Sequence, residues 1–188
     1  MISARHLASS LYGVWLILRW EVTGFEYFDR TFGGFWRSYI VAVALAPIYA
    51  AHTIASYSPD TVTMPLSVYI ATEVIAYVMS WTVFPFAMIY VARTLERDDR
   101  LFNYLVAYNW FQLAVGLVSL PITVLTDLRL IAPESAAGLN LVVLAVFFSY
   151  GIFLARHALK VGPITAVGIV FLDVLLSLLV RQVVTLAS

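Results

Sequence analysis

The chain has 188 residues, 62% of them hydrophobic and only 12% charged, with a mean hydropathy of +0.91. Soluble domains carry about a quarter charged residues, and a fold of this length cannot hide so much apolar surface from water, so composition excludes an ordinary soluble domain and points to the membrane class. The 11 basic and 11 acidic residues cancel, which leaves no basic field to recruit nucleic acid, and the lack of cysteine removes disulfides, thiolate metal sites and cysteine nucleophiles together.

Residues 1–37 form the one sizeable part that does not read as a span. Leu7 to Leu18 resembles a signal-peptide core, but no small-residue cleavage site follows and the chain runs directly into Arg19, Trp20 and Glu21, so the segment reads as retained. Leu7, Leu11, Val14, Trp15 and Leu18 recur at the spacing of one helical face. Trp20, Phe25, Tyr27, Phe28, Phe32, Phe35 and Trp36 follow, interleaved with charged residues. Aromatic and basic side chains together favour the lipid headgroup level. The pattern predicts an amphipathic helix lying flat on the cytoplasmic leaflet, then a turn near Gly33 and Gly34. Trp15, Trp20, Phe35, Trp36 and Arg37 are the candidate surface for the interface or for a docking partner.

Residues 38–188 read as five transmembrane helices over 38–57, 67–92, 103–125, 139–155 and 163–184. Each approaches the roughly 20 apolar residues that cross a bilayer. Backbone groups exposed to lipid must bond within their own segment, so the spans are helices, and the alternating ten-residue segments of a barrel do not occur. The fold class is therefore an all-α integral membrane bundle with an N-terminal interfacial helix. Ser58-Pro59-Asp60 and Pro133-Glu134-Ser135 mark the outer loops, and Gly162-Pro163 opens the last helix, where a proline's missing N–H costs little. Pro47, Pro85 and Pro121 fall inside spans and are expected to kink them.

Basic residues set the orientation. Arg5, Arg19, Arg30, Arg37, Arg93, Arg97, Arg100, Arg156 and Lys160 share one side, against Arg129 and Arg181 on the other. This positive-inside bias places the N-terminus in the cytoplasm and the C-terminus outside. Compact size and short loops suggest a bacterial inner membrane.

Charges within a span are costly and often functional. Glu73 in the second span and Asp173 in the fifth qualify, with His52 at a comparable depth in the first. If their faces meet, they form one protonatable pocket in the outer half of the bundle, which suits a proton-coupled transporter; otherwise each acid pairs with a hydroxyl, an amide or Arg181 and holds helices together. Asn109, beside Tyr108 and Trp110 in the third span, joins them as a candidate polar site, with interhelical hydrogen bonding as its simpler role. Ala42, Ala46 and Ala50, and Gly151 with Ala155, are small stripes that predict close helix packing or an oligomer contact. No phosphate-cradling glycine loop, HExxH or GxSxG occurs, and the three histidines lie far apart. Catalytic machinery, metal site and cofactor are therefore not expected.

Two stretches carry a family resemblance. One is Asn103-Tyr104-Leu105-Val106-Ala107-Tyr108-Asn109-Trp110, after a charged cytoplasmic loop and closing at Ser119-Leu120-Pro121. The other is Ala155-Arg156-His157-Ala158-Leu159-Lys160-Val161-Gly162, running into Pro163-Ile164-Thr165-Ala166. With the five-span arrangement, they make residues 38–188 resemble the Yip1 family of small membrane proteins, although the Asp-Leu-x-Gly-Pro start of eukaryotic members is absent. The resemblance implies a non-enzymatic membrane organiser. The leading expectation is thus a scaffold that binds lipids, another membrane protein or a second copy of itself. The alternatives are a transporter or channel using Glu73 and Asp173, and an accessory subunit of a larger membrane complex.

Overall fold

The computed structural model describes residues 3–58 and 64–187, and within them the chain is helical with no strand. The elements are α1 (Ala4–Leu18), a 3-10 segment (Val22–Tyr27), α2 (Phe32–Ser38), α3 (Ile40–Ser56), α4 (Leu66–Thr94), a 3-10 turn (Asp98–Arg100), α5 (Leu101–Asp127), α6 (Pro133–Ala158) and α7 (Pro163–Ala187). Five helical stretches are long and apolar enough to cross a membrane: Phe32–Ser56, Leu66–Thr94, Asp98–Asp127, Pro133–Ala158 and Pro163–Val183. Pro59 and Asp60, read as the start of a loop, lie outside the described residues.

Several boundaries move from those expected. The first span starts at Phe32 rather than at 38, with a break at Tyr39 where α2 hands over to α3. Gly33 and Gly34 lie inside α2 instead of forming the turn. The fourth span is not short: α6 begins with Pro133 in its first turn, where hydropathy is low but a proline fits. Helix α3, α4 and α5 each run through their internal proline.

Helix α5 is the hub. It packs against α3 on one side and α6 on the other, and α7 packs between α6 and α4. One end of the bundle carries residues 3–31 and the loops around Glu96 and Lys160; we call it the basic end, and the opposite one the far end. The core sits towards the basic end, where Leu105, Ala107, Trp110 and Phe111 of α5 meet Met88 and Ala92 of α4, Leu154 and Ala155 of α6, and Ala166 and Ile169 of α7. There the Gly151–Ala155 stripe does bring helices together: Gly151 packs on Val170 so closely that a Cβ would lie 2.9 Å from a Val170 methyl. Towards the far end the packing thins, and no α6 residue between 137 and 149 is buried.

Helix α1 and the 3-10 segment form a hairpin. Gly13 and Gly24 allow it, because a Cβ on Gly24 would lie 2.7 Å from the Gly13 carbonyl oxygen. Ser9 donates to the Tyr27 carbonyl at 2.9 Å. The hairpin does not stand free of the bundle: the Tyr150 hydroxyl of α6 donates to the Leu18 carbonyl at 2.6 Å, and Trp20 stacks on Tyr150 at 4.3 Å between centroids. Phe25 lies against Phe153 and His157. Of the face read from the sequence, Val14 is buried, while Leu7, Leu11, Trp15 and Leu18 stay exposed.

The entry to α2 is held by Asp29. Its carboxylate accepts the Thr31 hydroxyl at 2.7 Å and pairs with Arg37, and Thr31 caps the helix by accepting the Gly34 N–H at 3.0 Å. Partial burial raises the Asp29 carboxyl, but the bonds from Thr31 and Arg37 outweigh it and hold it below its ordinary 3.8.

Candidate functional site

The polar side chains inside the bundle fall into separate groups. Near the far end, His52 Nδ1 lies 2.7 Å from Asp127 Oδ2, and the Ser56 hydroxyl donates to the same oxygen at 2.9 Å. This ties the last turn of α3 to the last residue of α5. One turn earlier, the Tyr49 hydroxyl donates to Glu73 Oε2 at 2.7 Å, joining α3 to α4. Tyr49 also packs on Tyr77, with ring centroids 4.7 Å apart, and Arg181 of α7 lies within electrostatic range of it.

Asp173 belongs to a different group. Only 4% exposed, it accepts the Tyr108 hydroxyl, which lies 2.9 Å from Oδ2 and 3.1 Å from Oδ1, and so joins α7 to α5. Tyr108 precedes Asp127 by 19 residues on one helix (108 to 127), about 28 Å of rise. Glu73 and Asp173 are thus on the order of 20 Å apart along the bundle. Of the three residues expected to share one pocket, Glu73 and His52 come together around Tyr49, whose ring lies 5.9 Å from that of His52, while Asp173 lies at another level. The hydroxyl partners, Tyr49 late in α3 and Tyr108 early in α5, set the two levels.

Asn109, fully buried, donates from Nδ2 to the Ser38 hydroxyl at 2.8 Å, and that hydroxyl donates to the Phe35 carbonyl at 2.6 Å. The chain locks the α2–α3 break onto α5. Asn109 Oδ1 and Trp110 Nε1 are buried without a hydrogen-bond partner among the described residues.

At the basic end, Phe35 is buried against Tyr39 and Phe102, whereas Trp15, Trp20 and Trp36 are 47%, 50% and 59% exposed. Arg37 is spent on Asp29, and Arg19 lies over the Trp15 ring at 4.6 Å. The five surface candidates therefore divide: three tryptophans face outward, and Phe35 and Arg37 hold the segment in place.

Sequence reading missed Tyr49, Tyr108, Ser38, Ser56 and Asp127. Asp127 was the most accessible to foresight, being an acid just beyond the third predicted span and at the same end as His52. The His52, Asp127 and Ser56 trio is not arranged for nucleophilic catalysis, because Ser56 approaches the ring nitrogen that already meets the carboxylate. Among the described residues, no three His, Asp or Glu side chains gather as metal ligands would. No family model, no curated protein and no solved structure matches the chain.

Proposed function

We propose that this chain is a non-enzymatic, multi-pass membrane protein of Yip1-like type that organises lipid or protein partners through the hairpin at its basic end. One observation carries the reading: the hairpin is docked on α6, yet it holds Trp15 and Trp20 outward, beside Leu7 and Leu11, and Phe32 and Trp36 of α2 are exposed at the same end. Exposed tryptophan on a fixed platform is the composition of an interface core, and indole also favours the headgroup level. Trp20 lies beside Tyr150, eight residues from the end of α6 at Ala158, or about 12 Å of helix. Such a height suits insertion at the boundary between headgroups and acyl chains. Transport through Glu73 and Asp173 draws less from the geometry, since the two carboxylates are far apart and each holds a tyrosine hydroxyl. The accessory-subunit reading rests on the far half of α6, where no residue between 137 and 149 is buried.

The test is extraction of the protein within its native lipid patch, with co-purifying molecules identified by mass spectrometry. The wild type is expected to carry a stoichiometric protein or an enriched lipid class. The triple variant Trp15→Ser, Trp20→Ser, Trp36→Ser is expected to lose it while keeping its thermal transition. An unchanged complement in the triple variant would sink the reading.

The positive-inside bias places the basic end in the cytoplasm, and the lack of cysteine makes this simple to check. Single cysteines at Glu96 and at Ser135 are expected to react with an impermeant maleimide from opposite faces, with only Ser135→Cys labelled in intact cells. Labelling of Glu96→Cys alone would invert the topology.

A further inference from the structure

Helices α3 and α4 do not pack directly over their length; tyrosines hold them apart. Tyr39 donates to the Trp81 carbonyl, Tyr77 to the Ala42 carbonyl, and Tyr49 to Glu73. One of these hydroxyls comes from the break just before α3, one from α3 and one from α4, so each side props itself against the other. Of the stripe of Ala42, Ala46 and Ala50, which the sequence suggested for close packing or an oligomer contact, Ala46 and Ala50 face a gap instead. Ala46 and Ala50, with Thr53, Ile54, Ile70 and Val74, line a crevice of about 330 Å³. Its wall is almost wholly apolar, because the Tyr49 hydroxyl and the Glu73 carboxylate satisfy each other. Its rim is open to the side: Ile54 is 68% and Val74 56% exposed.

We infer that this crevice is a binding site for one acyl chain of a lipid from the leaflet at the far end. Size favours a chain over a helix. A helix about 10 Å across displaces roughly 800 Å³ per 10 Å of length, more than twice the crevice, so a second copy of the protein or another membrane protein meets only its rim. A methylene chain fits lengthwise, since 330 Å³ holds roughly ten water-sized groups. Position favours the far leaflet. Ala46 lies ten residues before the end of α3 at Ser56 (46 to 56), about 15 Å, which is about half of a hydrocarbon core. Water gains nothing in an apolar slot, and an empty one forfeits dispersion contacts on both walls. The tyrosine props keep the slot open before the chain arrives, so the lipid meets a preorganised site rather than two helices it must separate.

The inference is independent of the partner surface at the basic end, and its test reads a different part of the molecule. A photoreactive benzoylphenylalanine is placed at Ile54 in the full chain, with a control at Leu141, which is 67% exposed on α6. The protein is extracted, washed exhaustively in detergent to strip loosely held lipid and then irradiated, and intact-mass analysis is expected to show a lipid adduct at position 54 and none at 141. Filling the slot with Ala46→Leu and Ala50→Leu is expected to lower the adduct about tenfold, since the added methyl groups take the place of the chain. If that pair fails to fold, Ala46→Val alone is expected to lower it about twofold. Equal adducts at 54 and 141 would mean annular lipid only. An adduct at 54 with the mass of a second chain, or of another protein, would replace the lipid with that partner. Either result overturns the inference.

Discussion

Gly34→Ala is expected to destabilise the protein by roughly 3 kcal/mol, the upper end for overpacking a close-fitted site. A Cβ at this position would lie 1.9 Å from the Asp29 carbonyl oxygen and 2.7 Å from its carbonyl carbon. Both are backbone atoms, so no side-chain rotation relieves the clash. The turn from Asp29 to Thr31 has to open, and the same movement breaks the Thr31 cap and the Asp29–Arg37 pair that fix the start of the first span. Gly33→Ala is the control: its Cβ would meet the Arg37 guanidinium at 3.5 Å and the Thr31 hydroxyl at 3.7 Å, both ordinary contacts, and alanine in place of glycine within a helix is favourable by up to about 1 kcal/mol. Thermal unfolding in one detergent, read by tryptophan fluorescence, separates the two. If both variants melt with the wild type, the Asp29 turn does not anchor α2.

The second large effect concerns the buried carboxylate. Tyr108→Phe removes the hydroxyl that donates to Asp173 and leaves an acid at 4% exposure without that donor. Leaving a buried polar group unsatisfied costs about 1–3 kcal/mol. A loss of about 2 kcal/mol is therefore expected. Asp173→Leu in the Tyr108→Phe background is expected to recover much of it, because an apolar pair of similar volume no longer leaves a buried polar group without a partner. The four-member cycle isolates the coupling. A Tyr108→Phe protein as stable as the wild type would show that this bond does not fasten α7 to α5. The result also bears on mechanism. A carboxylate that only fastens helices is dispensable once its partner is removed with it, whereas a proton-carrying one is not.

Both effects arise where side chains of distant sequence positions meet, and that separates what was legible from what was not. The five helical stretches were readable from hydropathy alone, since lipid admits only segments that bond their own backbone over about 20 residues. Their ends were less so. Helix α6 gains six residues over its expected start because Pro133 to Gly138 are polar or small, and hydropathy ignores the fit of proline in a first turn. The small-residue stripes carried the same signal at two places and met opposite fates. Gly151 and Ala155 pack against α7, while Ala46 and Ala50 face a crevice, and the difference lies in the tyrosines on α3 and α4 that prop one pair of helices apart.

The sequence by itself determined that this is a helical chain built for a membrane, with five stretches able to span it, its basic residues gathered at one end and an aromatic segment before the first span. Those properties are sums over windows of residues, so they survive ignorance of which helix neighbours which. Tertiary structure alone decided that Glu73 takes Tyr49, Asp173 takes Tyr108 and His52 takes Asp127, that the hairpin docks on α6 with its tryptophans outward, and that α3 and α4 stand apart. Each of these depends on the rotation of a helix about its axis and on the order of helices around α5. A turn of about 100° per residue moves a side chain from core to lipid without changing the hydropathy of its span.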